Sequence, residues 1–170
     1  ADLEVGQKLY GATVLHQQVP LDVTFLSAEG ATFDTLITAS GAVGTVAIDV
    51  PFEPAMVVLN RAMRLNQARM DHEMVLVPGV PFGNVMPYVD FRVYGTNLVD
   101  STLVRVEHIY CAPDQAPLQT GVSQISDTHY WTVDGLWPEG TVLEGRVYYL
   151  GENDSQFDHA LVNGDETGMV

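Results

Sequence analysis

With 170 residues, 46% of them hydrophobic, the chain can fill a core as one domain or as two small ones. Its 7 basic and 22 acidic side chains leave a net charge of −15, which repels nucleic acid and anionic membranes and argues against both as partners. No apolar run approaches the roughly 20 residues of a membrane helix, so membrane insertion is not expected.

The acidity is uneven. Residues 112–170 carry ten acidic side chains against a single base, Arg146, which suggests two modules of different surface character. The plainer reading, and the weightier one, is that the charge keeps a secreted or salt-tolerant protein in solution. A lone cysteine, Cys111, rules out an intramolecular disulfide and reads as a small buried hydrophobe. Ala1-Asp2-Leu3-Glu4 has no initiator Met and no signal-peptide pattern, and Gly168-Met169-Val170 breaks off like the start of a strand. Both ends suggest a piece of a longer polypeptide.

Along the chain the dominant signal is a period of two. Leu21, Val23 and Phe25 alternate with Asp22 and Thr24; Phe33, Thr35 and Ile37 follow the Glu29-Gly30 turn; Val46, Ile48 and Val50 supply a third strand. Pro51-Phe52-Glu53-Pro54 is an extended connection before a short strand at 55–59. Asn60 to Asp71, with Arg, Ala, Met and Leu, has helical composition, and Asn60 suits a cap; one short helix is expected here. Strands follow at 73–77, 88–94 and 101–111, and Ala112-Pro113-Asp114-Gln115-Ala116-Pro117 reads as a domain edge. Beyond it, Asp134-Gly135 is a turn dipeptide flanked by Tyr130-Trp131-Thr132-Val133 and Leu136-Trp137, and 142–150 is a further strand. About ten short strands with turn signals predict an all-β chain: an Ig-like β-sandwich over 1–112 and a smaller β-rich module over 113–170, incomplete at its C-terminus.

Candidate chemistry is sparse, and no catalytic residue is nominated. His72-Glu73 lacks the second His of a zinc-protease helix, because position 76 is Leu. Glu107 and His108 point to opposite faces of a strand, while Arg105 and Glu107 share one and can form a surface ion pair. His108 therefore reads as a structural residue, and His16, His129 and His159 show no ligand spacing. The acidic loops holding Asp154, Asp158 and Asp165 have the oxygen chemistry of a calcium site but not EF-hand spacing, so solvated loops weigh more. Tyr130, Trp131 and Trp137 are the candidate binding residues, an aromatic platform for a sugar ring; burial in the core is the heavier alternative, with Trp131 mostly covered.

Two stretches carry a family resemblance. These are Pro87 to Asp114, with Tyr88-Val89-Asp90-Phe91-Arg92-Val93 and Leu103-Val104-Arg105-Val106-Glu107-His108, and His129-Tyr130-Trp131-Thr132-Val133-Asp134-Gly135-Leu136-Trp137-Pro138. Together they resemble the region that follows the catalytic domain in large secreted zinc metallopeptidases, the alanyl-aminopeptidase-like gluzincins of Bacteroidetes-type bacteria. Val19-Pro20-Leu21-Asp22-Val23 and Val50-Pro51-Phe52-Glu53-Pro54 look like that family's β-sandwich. The resemblance implies an exported, non-catalytic accessory region whose partner is the catalytic domain of the same polypeptide. Zinc would belong to that parent and no cofactor to this stretch, since neither the His-Glu-x-x-His helix nor the Gly-x-Met-x-Asn strand occurs here. A sorting domain for type IX secretion would lie beyond Val170. A carbohydrate- or surface-binding module and an extracellular adhesion or assembly subunit are the alternatives.

Overall fold

The structure, a computed structural model, describes residues 1–9, 11–114, 118, 120–122, 124–153 and 156–162. The strands are β1 (Asp2–Gly6), β2 (Val19–Leu26), β3 (Thr32–Ala39), β4 (Val43–Ala47), β5 (Met56–Leu59), β6 (Arg69–Leu76), β7 (Val85–Met86), β8 (Phe91–Asn97), β9 (Thr102–Ile109), β10 (Tyr130–Leu136) and β11 (Val142–Val147), followed by one short helix, α1 (His159–Val162). Every strand pair is antiparallel. The expected all-β, sandwich-like architecture is what the chain adopts. No helix among the described residues is long and apolar enough to cross a membrane.

The chain divides into two compact units, Ala1–Gln67 and Ala68–Val170. In the first, β3-β2-β5 form one sheet and β1-β4 another. The period of two is what makes this possible. Leu21 lies opposite Ile37 and Phe25 opposite Phe33, so one face of the β2–β3 ladder is apolar. Val5, Leu21, Val23, Phe25 and Ile37 form its core, joined by Leu3 and Val46 from the smaller sheet. In the second unit, β10-β9-β6 and β11-β8-β7 are the two sheets. Leu76, Met86, Val89, Phe91, Val93, Val104 and Val106 make the core between them.

Three sequence expectations are corrected here. The division at 112 and 113 falls inside the second unit, because β10 pairs with β9 and β11 with β8 across it. The proline-rich stretch, whose residues 115–117 lie outside the described residues, falls between two paired strands of one unit. The helix expected from Asn60 to Asp71 is absent, and Arg69 already starts β6. Asn60 and Met63 have φ of 52° and 50°, the left-handed region, which stops helix propagation. The buried Asn60 side chain closes the loop instead, donating to the Leu65 carbonyl at 2.9 Å and accepting the Leu65 N–H at 3.0 Å. Finally, Asp134-Gly135 lies within β10 and is not a turn. Gly135 is there for space: a Cβ would come within 2.0 Å of the Leu103 carbonyl oxygen and 2.7 Å of the Trp137 ring. The turn comes later, where the Thr141 N–H bonds the Pro138 carbonyl at 3.1 Å and Gly140 takes a φ of 84°.

Candidate functional site

The register of β9 and β10 sets Trp131 opposite His108 on the core side of their sheet. His129 precedes β10 and is fixed by a serine turn, in which the Ser126 hydroxyl accepts the Thr128 N–H at 3.3 Å and the His129 N–H at 3.2 Å. Asp158 sits at the start of α1, where its carbonyl accepts the Val162 N–H at 2.9 Å. Folding brings these three together. His108 Nε2 lies 2.6 Å from His129 Nδ1, and His129 Nε2 lies 2.6 Å from Asp158 Oδ1. The second carboxylate oxygen of Asp158 accepts the Leu150 N–H at 2.7 Å. His108, His129 and Asp158 are all buried.

Rings enclose the chain of hydrogen bonds. Trp131 stacks on His108 at 4.3 Å and 22°, Tyr110, just past the end of β9, lies 4.2 Å from His108, and Phe157 is 5.7 Å from His129. The Trp131 indole N–H donates to the Val89 carbonyl at 2.7 Å, tying the β9–β10 sheet to the turn that enters β8. One proton only can lie between the two imidazoles at this separation, since two N–H groups cannot face each other. His108 Nδ1 is buried without a hydrogen bond, and the nearest carboxylate, Asp90 Oδ2, is 3.8 Å away.

An Asp–His pair of this kind orients an imidazole in hydrolases, where the second ring nitrogen activates a hydroxyl or thiol. Here the position of that nucleophile is filled by the ring of His108, so the arrangement joins three segments. Burial, reinforced by the neighbouring His129, holds the His108 pKa down to about 4 against the opposing pull of Asp90 and Asp158. The sign follows. A histidine whose folded pKa is depressed contributes its full stability above its unfolded value of about 6.5 and loses it as pH falls toward the folded value. Between pH 6.5 and about 4 this residue removes at most about 3 kcal/mol. A His108→Leu chain is therefore expected to show a shallower loss of urea stability over that interval than the unmodified chain. Parallel curves would mean that His108 is solvated.

The opposite face of the same sheet holds a second buried cluster. Arg105, 2% exposed, reaches Asp71 at 2.6 Å, Glu73 at 2.7 Å and Glu107 at 3.0 Å. The expected Arg105–Glu107 pair exists, but as part of a covered network and not on the surface. Burial is the largest single influence on Arg105 and lowers its pKa, but Asp71, Glu107 and Glu73 together outweigh it and the net shift is upward. In the first unit an open groove of about 490 Å³ is lined by Asp22, Thr24, Asp34 and Arg64. Within it Asp22 pairs with Arg64 at 3.1 Å, and Asp34 accepts the Thr24 hydroxyl at 2.6 Å.

The three candidate platform aromatics are not brought into one row. Tyr130 and Trp131 are successive strand residues and point to opposite faces. Trp131 is partly buried against His108, and Trp137 is 44% exposed beyond the end of β10. Of the calcium candidates, Asp158 is turned inward with both oxygens accepting hydrogen bonds, while Asp154 and Asp165 lie outside the described residues. The sequence reading missed the His108–His129–Asp158 association, whose members are separated by 21 and 29 positions. Compared with family models, with curated proteins and with solved structures, the chain matches none.

Proposed function

We propose that this chain is a non-catalytic structural region of a secreted zinc aminopeptidase-like polypeptide, placed beside that polypeptide's catalytic domain. One observation supports the reading above others. The two stretches that carry the resemblance become neighbouring strands, β9 and β10, and their distinctive polar groups are used on one another. His108 and His129 share a proton, and the Trp131 N–H is taken by a backbone carbonyl. These groups hold strands and a helix together instead of meeting a substrate. The role is to supply a rigid β-rich body to the parent, which would be exported with it.

The test is direct. Supplied with zinc and an alanyl-nitroanilide, the folded chain is expected to release no more product than a protein-free blank. Zinc-dependent turnover lost on chelation would overturn the reading.

A further inference from the structure

The hydrogen bonds around His108 fix which of its nitrogens carries the proton. Asp158 Oδ1 is an acceptor, so His129 Nε2, 2.6 Å away, donates to it. That leaves His129 Nδ1 with a lone pair, and His108 Nε2, at 2.6 Å, supplies the proton between the two rings. In the neutral His108 ring the other nitrogen, Nδ1, is therefore bare. It is covered, has no hydrogen bond among the described residues, and belongs to a residue that is 3% exposed.

What Nδ1 faces is a second acceptor. Asp90 Oδ2 stands 3.8 Å from it. The backbone around Asp90 is pinned in place: the Val89 carbonyl accepts the Trp131 indole N–H at 2.7 Å, and the Asp90 carbonyl accepts the Tyr148 N–H at 2.8 Å. Asp90 itself takes a φ of 49°, the left-handed region, which costs an L-residue energy. A lone pair and a carboxylate are thus set against each other. The Asp90 side chain is 57% exposed, so the pair is approached from solvent on that side.

A cation satisfies both groups. Imidazole nitrogen with carboxylate oxygen is a donor set for zinc, nickel or copper more than for magnesium or calcium. Zinc bonds of about 2.0–2.2 Å at a tetrahedral angle hold such a pair about 3.4 Å apart. The observed 3.8 Å closes to that with a small turn of the exposed Asp90 side chain. The support behind His108 is also what a metal-ligating histidine requires, since its other N–H is given to His129, which Asp158 orients in turn. Among the described residues no third His, Cys, Asp or Glu completes a metal centre, so water fills the remaining positions.

We propose that His108 Nδ1 and Asp90 Oδ2 bind one divalent cation of the zinc, nickel or copper class, which clamps the turn entering β8 to β9. The site follows from the proton order of the buried rings and does not depend on the parent's chemistry.

Zinc chloride titrated into the whole chain, with isotope-labelled histidine, tests it at a pH of about 7.5, above the ordinary histidine range. His108 Nδ1 is expected to give the nitrogen resonance of an unprotonated site and to shift within one equivalent, while Nε2 keeps its proton. Calorimetry is expected to show saturable one-to-one binding that millimolar magnesium does not displace. Asp90→Asn is expected to weaken binding at least about tenfold. Asparagine tolerates a positive φ, and its amide N–H can donate to the bare Nδ1, so this variant keeps its fold, as near-ultraviolet dichroism checks. His16→Gln, at an exposed histidine of the first unit, is expected to leave binding unchanged. A proton on Nδ1 before zinc is added, the absence of saturable binding, displacement by magnesium, or undiminished binding by Asp90→Asn would each overturn the proposal. So would uptake that falls with His16→Gln, the mark of an adventitious ion only.

Discussion

Replacing Arg105 with alanine is expected to destabilise the second unit by about 3–5 kcal/mol, the range for removing one partner of a buried ion pair. The reason lies in the register of β6 and β9. Asp71 is paired with Glu107, and Glu73 with Arg105, which puts three carboxylates on one face around one guanidinium. Glu107 retains Arg69 at 2.8 Å after the change, but Asp71, 9% exposed, loses its 2.6 Å contact with Arg105 and keeps a burial penalty. Both tryptophans, Trp131 and Trp137, belong to this unit, so their fluorescence in urea follows its unfolding. Arg105→Lys is expected to fall between the two, since an ammonium cannot make the forked contacts of a guanidinium. A loss below about 1 kcal/mol would instead describe a solvated surface pair.

The strands were legible because the side-chain period needs no tertiary knowledge. Leu21, Val23 and Phe25 face one way whatever they pack on, and β2 contains all three. Local composition misled where long-range contacts decide. Ala62, Met63, Arg64 and Leu65 favour helix, yet Asn60 is already fastened to the Asp22 carbonyl by its N–H at 2.8 Å and closes the loop onto Leu65. Asp134-Gly135 has turn chemistry, but an antiparallel partner on β9 keeps it extended, opposite Arg105 and Val104. The buried cluster was illegible for a related reason. His108, His129 and Asp158 have no common spacing because each arrives on a different element: strand, turn and helix start. Only the strand register supplied a usable signal: aligning Val106 with Val133 places His108 opposite Trp131, two residues beyond His129.

Asp158→Ala carries the other large expected effect, a loss of about 2–4 kcal/mol. The carboxylate is the shared acceptor for His129 Nε2 at 2.6 Å and the Leu150 N–H at 2.7 Å, and at 4% exposed it leaves little room for water to take its place. Stranding a buried donor costs about 1–3 kcal/mol, and the bond to a carboxylate is the stronger kind. Asp158→Asn is expected to cost less, because its carbonyl oxygen still accepts one of the two donors while its amide N–H₂ opposes the other. Hydrogen exchange separates this account from general destabilisation. The first amides to lose protection should be those anchored through Asp158, at Leu150, Leu161 and Val162. The centres of β8 and β9, packed around Val93, Val104 and Val106, should hold theirs until global unfolding. Val162 packs within 2.7 Å of where a Cβ on Gly151 would stand, so the released helix also uncovers that contact and frays as one piece. Unchanged exchange at all three positions, with stability equal to that of the unmodified chain, would show that the His108–His129–Asp158 chain does not fasten α1 to the sheet, and the structural role assigned to it would fail.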